Sequence, residues 1–356
     1  MIFSWLLQQK GGKKLGYVLT KEAFDKVLKK LAEKRLIYAP VLKVGEGRFT
    51  DTDVVRYDYV TELSQIELSK KSDYAFKEIL TPLSETLFFF TENEVKTADR
   101  DPREVIVFMK SCDMHAVRRL DQIYLNNGIE QDSFYKEIRD RVKFVLIGCQ
   151  KSGADCFCVD MGTNRTTEGY LFSVDVIGDE VRCDVACEEC AKIFAECGAR
   201  EEAVEPAYVT ENATHVTIPE VIPNSIYKNP VWDEYSVRCI GCGRCNFVCP
   251  TCTCYTMQDV YYTENGKVGE RRRVGASCMV DGYTNVAGGG QYRKTKGERM
   301  RFKVLHKIFD FRKRFGYDMC VGCGRCDMVC PEYISFSACI NKVAKAVEEE
   351  VANGSN

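Results

Sequence analysis

Two short cysteine runs in the C-terminal third decide the fold of this chain: RCIGCGRCNFVCP at 238–250 and MCVGCGRCDMVCP at 319–331. Both follow the pattern C-x2-C-x2-C-x3-C-P, with which bacterial ferredoxins bind [4Fe–4S] clusters. The first three cysteines of such a run wrap one cubane, and glycines let backbone N–H groups approach the sulfurs. The fourth cysteine, which precedes proline, serves the other cluster.

The two runs therefore predict two [4Fe–4S] clusters with exchanged fourth ligands. Zinc is the alternative interpretation, because paired C-x2-C runs also bind zinc. Four zinc ligands leave the third cysteine and the Cys-Pro ending of each run unexplained, so clusters are favoured. The predicted ligands are Cys239, Cys242, Cys245 and Cys330 for cluster 1, and Cys320, Cys323, Cys326 and Cys249 for cluster 2.

The composition points to a reducing compartment. The chain has 356 residues with 20 cysteines, which is too long for a small disulfide-stapled secreted scaffold. Residues 1–7 are apolar, but no basic segment precedes them, so a secretory signal is not expected. No apolar run approaches the roughly 18 residues of a membrane span, and a net charge of −2 gives no strong attraction to nucleic acid. We expect a cytoplasmic protein without membrane or nucleic-acid partners.

The rest of the chain predicts a mixed fold with two domains. An N-terminal α/β domain is expected over 1–225, and an α-helical dicluster ferredoxin domain over 226–356, with an insert at 250–319 between the cluster runs. The boundary falls within 199–230, which is acidic, contains proline and has little periodicity.

A βαβ unit is the clearest local pattern in the N-terminal domain. The apolar runs 104–109 and 142–147 predict strands covered on both faces, and Asp113 is expected to cap a helix between them. Cys112 and Cys149 follow the carboxyl ends of these strands, which is the edge where open α/β sheets bind ligands.

Helical periodicity is evident in three further segments. Residues 21–36 place four apolar residues on one face after Thr20, a good N-cap. Residues 299–315 form a basic amphipathic stretch, and 339–351 an ordinary amphipathic helix. The basic stretch is interpreted as a solvated face or as positive charge that offsets the clusters. Docking of an acidic partner, or of the carboxylates of a partner's cofactor, is the alternative.

Further motifs surround the cluster runs. They are CPTCTCY at 249–255, GERRR-x3-SCM at 269–279, AGG at 287–289, GER-x-R-x4-HK at 297–307, CDMHA-x3-LD at 112–121, FVLI-x-C at 144–149 and DCFCVDMGTN at 155–164. Over about residues 20–345, the chain resembles the iron–sulfur electron-transfer subunit of the bacterial anaerobic sulfite reductase, a relative of the sulfhydrogenase beta subunits.

The resemblance implies an iron–sulfur electron carrier with no catalytic residues. Its partners would be a flavin- and NAD(P)H-binding reductase subunit and a sirohaem subunit that reduces sulfite to sulfide. The alternative is the electron-transfer beta subunit of a hydrogenase or sulfhydrogenase complex. A third possibility is a true enzyme, in which the N-terminal cysteines hold a substrate-binding cluster. No G-x-G-x-x-G follows a strand, so neither a flavin nor a nicotinamide site is expected in this chain.

A third [4Fe–4S] cluster is expected in the N-terminal domain. The pattern of the resembled family includes Cys112, Cys149, Cys156 and Cys158, and here two of these follow strand ends while two lie in a glycine-flanked loop. Four thiolates converging at that sheet edge form a ligand set. The alternative is that Cys112 and Cys149 are buried core residues, as free cysteines often are.

The remaining eight cysteines are interpreted mainly as packing residues. Cys252, Cys254 and Cys278 in the insert are expected to shield a cluster, with a partial ligand set as the alternative. Cys183, Cys187, Cys190 and Cys197 have offsets that place them on one face of a helix. They would then extend over about 21 Å, too far for one metal ion. We interpret them, and Cys339, as buried apolar thiols.

Overall fold

The computed structural model describes residues 15–48, 51–352 and 354. The apolar segment 1–7 lies outside them. The strands are β1 (Leu15–Thr20), β2 (Arg35–Lys43), β3 (Val54–Tyr59), β4 (Ser84–Phe90), β5 (Val95–Thr97), β6 (Glu104–Met109), β7 (Val142–Ile147), β8 (Ser173–Ile177), β9 (Glu180–Val185), β10 (Arg200–Glu201), β11 (Tyr255–Tyr261) and β12 (Gly269–Gly275).

The α-helices alternate with the strands in the first half and cluster in the second. They are α1 (Lys21–Ala32), α2 (Lys77–Leu80), α3 (Ser111–Leu125), α4 (Ser133–Arg141), α5 (Glu188–Glu196), α6 (Asp233–Arg238), α7 (Arg244–Phe247), α8 (Lys296–Leu305), α9 (Phe311–Phe315), α10 (Arg325–Met328) and α11 (Phe336–Ala352). This architecture confirms the predicted mixed fold, with an N-terminal sheet domain and a C-terminal helical region. Among the described residues, no helix is long and apolar enough to cross a membrane.

The main sheet has eight strands in the order β10-β1-β9-β8-β7-β6-β2-β3. The predicted βαβ unit is confirmed, because β6 and β7 pair in parallel and α3 and α4 lie between them in sequence. Four consecutive residues are buried at the carboxyl end of each of these two strands, as expected for strands covered on both faces. The carboxyl ends of β6 and β7 therefore open at one edge of the sheet.

Asp113 does not cap α3, contrary to the sequence prediction. The helix begins at Ser111 with Lys110 as its N-cap residue, and Asp113 lies in the first turn, where it is buried. Its carboxylate is occupied by an ion pair with Arg325, and it therefore links α3 to a cluster run.

Helix α1 agrees with its sequence pattern. The Thr20 side chain accepts a hydrogen bond from the Ala23 N–H, so the predicted N-cap is present. The apolar face contributes to a core on one side of the main sheet, in which Phe24 packs edge-on against Phe172 and Phe194. The helix ends at residue 32, four residues before the predicted end.

A second, four-stranded sheet combines strands from both halves of the chain in the order β11-β12-β4-β5. The hairpin β11–β12 belongs to the predicted insert, and β12 pairs antiparallel with β4 from the N-terminal half. This pairing holds the insert against the α/β region. The boundary between 225 and 226 remains a prediction.

The basic stretch forms one helical rod that packs into the C-terminal core. Helix α8 continues through a π-helical segment (His306–Asp310) into α9. Leu305, Ile308 and Phe309 of the predicted apolar face are buried. Helix α11, longer than its predicted span, packs Ile340 and Val343 into the same core.

The four cysteines from 183 to 197 do not lie on one helix, contrary to the sequence prediction. Cys183 belongs to β9, Cys187 precedes α5, Cys190 lies within α5 and Cys197 follows it. Cys183 and Cys190 are buried in the core, and the other two pack against it. Their interpretation as apolar thiols agrees with this packing, and Cys339 is likewise buried.

Candidate iron–sulfur sites

The two ferredoxin runs adopt the same local structure. In each, the glycines on either side of the second cysteine have positive φ angles, of 71° and 75° at Gly241 and Gly243 and of 62° and 68° at Gly322 and Gly324. This left-handed backbone suits glycine because it lacks Cβ. It directs the Gly241 N–H to the Cys239 sulfur at 3.3 Å, and the Gly322 N–H to the Cys320 sulfur at 3.4 Å.

The predicted ligands of cluster 1 line one cavity. The first three come from the loop that ends in α7, and the fourth comes from the end of the second run. The Cys330 sulfur accepts a hydrogen bond from the Ile334 N–H at 3.3 Å. The cysteines around this cavity are Cys239, Cys242, Cys245, Cys326 and Cys330.

The predicted ligands of cluster 2 line a neighbouring cavity. Its cysteines are Cys249, Cys320, Cys323 and Cys326. Cys249, from the first run, thus meets three cysteines of the second run, as the exchange of fourth ligands requires. Cys326 and Lys303 line both cavities, so the two sites are adjacent.

The donor set of both cavities fits iron–sulfur clusters. Burial raises the pKa of Cys320 to about 12, which favours the neutral thiol. Iron bound between these cysteines would displace that proton, because cysteine binds metals as the thiolate. The backbone N–H groups of both loops already point to the sulfurs that would bear the negative charge.

Two buried lysines of the basic rod lie among these cysteines. Burial alone lowers the pKa of Lys303, but the negative charge of nearby sulfurs in the thiolate form, Cys245 and Cys326 first, outweighs it and holds the pKa well above its usual value. Lys307 is also buried, and its Nζ donates a hydrogen bond to Thr251 Oγ1 at 2.7 Å. These side chains place positive charge where cluster thiolates would be negative.

The four N-terminal cysteines line a single cavity of about 640 Å³ at the carboxyl edge of the main sheet. Cys112 enters from the start of α3, Cys149 follows β7, and Cys156 and Cys158 come from the next loop. The sequence expectation that these residues share one sheet edge is met by this arrangement. Burial, with a contribution from Cys156, raises the pKa of Cys158 to about 12. This donor set also fits a cluster.

The loop carrying Cys156 and Cys158 packs directly on the second ferredoxin loop. The Phe157 N–H donates to the Gly322 carbonyl at 2.8 Å. A Cβ at Gly322 would stand 2.5 Å from the Phe157 oxygen, and one at Gly324 would stand 2.2 Å from the Asp155 oxygen. These glycines therefore allow both the loop turns and the close approach of the N-terminal site.

Two cationic side chains, Lys71 and Arg325, make further contacts between the N-terminal region and the second ferredoxin run. Lys71 Nζ lies 3.4 Å from the Cys156 sulfur and donates to the Cys323 carbonyl at 2.5 Å. Arg325, from the second cluster run, makes a two-pronged ion pair with Asp113, with both N–O distances at 2.7 Å. Both partners of that pair are almost completely buried.

The three insert cysteines gather beside the cluster 2 cavity. Cys252, Cys254 and Cys278 line a neighbouring space of about 160 Å³. The Asn246 amide donates to the Cys278 sulfur at 3.1 Å. A hydrogen bond from the Cys278 thiol lowers the pKa of Cys254 to about 6.

Over residues 15–48, 51–352 and 354, no three His, Cys, Asp or Glu side chains are arranged to hold a single metal ion.

The sequence indicates the basic stretch as positive charge near the clusters, but it does not identify which of its side chains surround the sulfurs. Lys303 and Lys307 are four residues apart, so they share a helix face, but Arg299 has the same spacing from Lys303 and is not distinguished from them by the pattern. Nothing local distinguishes Lys71 or the partnership of Asp113 with Arg325, since these contacts join distant parts of the chain.

Comparison with known proteins identifies an iron–sulfur domain in the C-terminal region. Residues 238–334 match the model of the 4Fe-4S dicluster domain. The chain is 28% identical to the sulfhydrogenase 2 subunit beta of Pyrococcus furiosus over 354 residues, covering 92% of this chain and 98% of that protein. No solved structure matches the chain. The chain thus carries a dicluster domain and has a homologue among the sulfhydrogenase subunits, consistent with an iron–sulfur electron-transfer protein.

Proposed function

We propose that this chain is the iron–sulfur electron-transfer subunit of a sulfhydrogenase-type oxidoreductase complex. One observation carries the proposal: the second ferredoxin loop touches both other cysteine sites. It shares Cys326 and Lys303 with the first ferredoxin site, and it bonds to the N-terminal loop through Gly322 and Phe157. Three adjoining cysteine sites suit a relay through the protein.

Twelve cysteines would hold the iron. In this proposal, cluster 1 is bound by Cys239, Cys242, Cys245 and Cys330; cluster 2 by Cys320, Cys323, Cys326 and Cys249; and the third by Cys112, Cys149, Cys156 and Cys158. Each bound cluster supplies a site that takes up and releases one electron. The chain's contribution is to hold these sites in contact, to keep water from the inner ones, and to set their charge environment.

The comparison favours the sulfhydrogenase interpretation over the sulfite reductase interpretation. The relative named above is a sulfhydrogenase subunit, and its match covers nearly the full length of both chains. The sulfite reductase interpretation rests on motif resemblance alone. Assays of the purified native complex distinguish the two interpretations. Hydrogen uptake supports the sulfhydrogenase interpretation, whereas NAD(P)H-dependent reduction of sulfite without hydrogen uptake supports the sulfite reductase interpretation. Turnover by the isolated chain would contradict the relay in both forms.

Iron content tests the number of clusters. We expect about twelve irons and about as many acid-labile sulfides per chain after anaerobic purification, because three sites of four thiols each bind a [4Fe–4S] cluster. The double variant Cys149→Ser/Cys158→Ser should lower this to about eight, whereas Cys183→Ser, at a buried cysteine away from the sites, should leave it unchanged. About eight irons in the unaltered chain would contradict the third cluster, and a colourless zinc protein would contradict the whole proposal.

Lys303→Met is expected to lower the reduction potentials of clusters 1 and 2. A unit charge about 10 Å away at an effective dielectric constant of about 20 contributes about 1.7 kcal/mol, or about 70 mV for one electron. Loss of the positive charge makes the reduced cluster less stable, so the potentials become more negative. Redox titration followed by EPR measures this shift. Lys313→Met, at an exposed position of the same rod, is the control; equal shifts in both variants would contradict the assignment.

A further inference from the structure

The site of cluster 1 differs from the other two in its exposure. Cys242 is exposed, whereas each of the other eleven proposed ligands is buried or partly buried. The loop that carries Cys242 therefore brings one corner of the site to the protein surface. A redox partner that exchanges electrons directly with this chain meets the least intervening protein at that corner.

Exposed apolar side chains lie on the two segments that border the Cys242 corner of the site. Val237 is 85% exposed, Ile240 is 56% exposed and Tyr333 is 88% exposed. These side chains come from two segments that are held together, because the Arg238 guanidinium donates to the Tyr333 carbonyl at 3.4 Å. Clustered apolar groups at the surface of a soluble protein mark interaction sites.

Tyr333 has an unusual, left-handed backbone conformation. Its φ angle is 51°, and it is the one non-glycine residue with positive φ in the described part of the chain. Its N–H donates to the Cys330 carbonyl at 3.2 Å, so the strained residue is anchored to a proposed ligand of cluster 1. Left-handed conformations of bulky residues are costly and occur mainly at functional positions. Here that conformation accompanies an aromatic ring that is almost fully exposed.

Two exposed arginines flank the loop that carries Cys242. Arg238 ends α6 and Arg244 begins α7, whereas Glu332 supplies an exposed carboxylate from the second segment. Arg238 lies 3.5 Å from Glu234, which also accepts a hydrogen bond from Lys342, and the Arg238 side chain is 45% exposed. Carboxylates on an approaching partner would steer it to the two arginines.

We propose that the Cys242 surface, formed by Val237, Ile240 and Tyr333 around Cys242, docks a redox partner protein. The partner's matching face would be apolar at its centre and would carry carboxylates opposite Arg238 and Arg244. This inference rests on the proposed electron-transfer function, to which it adds the face used and the chemistry of the partner. Such contacts are small, since electron-transfer complexes generally bury little surface.

Hydroxyl-radical footprinting of the native complex, isolated through a tag on this chain, tests the proposal. Oxidation of Tyr333 should be roughly tenfold slower in the complex than in the free chain, because a docked partner excludes water from a ring within the contact. Tyr292, which is 77% exposed elsewhere, is the chemically matched control. Equal oxidation of Tyr333 in both states would overturn the docking surface.

The second test introduces an aspartate into the apolar surface and measures how well the complex retains the partner. Val237→Asp should weaken retention of the partner in the complex roughly tenfold, while Ile129→Asp, at a position 99% exposed, should not. Val237 does not line the cluster 1 cavity, so iron content and the EPR spectrum after dithionite reduction should be unchanged in both variants. Unaltered retention in Val237→Asp would contradict the proposal. If the unaltered chain gave no dithionite-reducible EPR signal, the electron-transfer function itself would fail, independently of the docking surface.

Discussion

Cys330→Ser is expected to remove cluster 1 and to leave cluster 2 in place, although Cys330 belongs to the second cysteine run. The reason is the exchange of fourth ligands. Cys330 lines the cavity of Cys239, Cys242 and Cys245, whereas Cys249 lines the cavity of the second run. A serine hydroxyl is a much poorer ligand for iron than a thiolate, so cluster 1 would lose one of four ligands.

The measurement is iron content together with EPR of the reduced protein. We expect loss of about four irons per chain, or conversion to a three-iron form with loss of about one, in either case with the cluster 1 signal lost or altered. Cys249→Ser is the reciprocal variant and should affect cluster 2. Cys339→Ser, at a buried cysteine outside both cavities, is the matched control. If Cys330→Ser abolished the cluster 2 signal and spared cluster 1, the exchanged assignment would be wrong.

Two features of the fold were predictable because their signals are local. The positions of cysteine and glycine in each ferredoxin run specify a loop whose turns only glycine accommodates easily. The continuous apolar runs of β6 and β7 specify parallel strands, and parallel strands end at a common edge. The expectation that Cys112 and Cys149 lie near each other follows from that geometry alone.

The prediction that placed Cys183 on a helix was wrong because it relied on the spacing of the cysteines alone. Val181, Cys183 and Val185 alternate along the strand and are all buried, which is the period of a strand. The helical offsets of the four cysteines concealed that shorter period. Cysteine is compatible with either structure, so the spacing of cysteines is weaker evidence than the alternation of the residues around them.

The contacts between the cysteine sites were not predictable, because they join segments far apart in the chain. Asp113 is a reasonable helix cap when only its neighbours are considered. The helix begins two residues earlier, however, and the Asp113 carboxylate is paired with Arg325, 212 positions away. The pairing of β4 with β12 is of the same kind. Such partnerships depend on how the two regions pack, and one sequence contains no local sign of them.

Arg325→Met is expected to destabilise the chain strongly, because it leaves the Asp113 carboxylate buried without its partner. Both side chains are at most 2% exposed, and Arg325 also donates to the Ser72 carbonyl and hydroxyl at 2.8 and 2.9 Å. Breaking such a pair costs about 3–5 kcal/mol, which for a chain of this size corresponds to a lowering of the unfolding temperature by roughly 4–7 °C. Anaerobic thermal unfolding followed by circular dichroism measures the change.

The control for stability is the corresponding arginine of the first cluster run. Arg244 precedes the third cysteine of the first run as Arg325 does in the second, but it is exposed. Arg244→Met should therefore shift the unfolding temperature by less than about 2 °C. The double variant Asp113→Leu/Arg325→Met should recover much of the loss, since buried charge without a partner costs more than an apolar pair of similar size. A double variant no more stable than Arg325→Met would show that the lost hydrogen bonds to Ser72, rather than the unpaired carboxylate, account for the destabilisation.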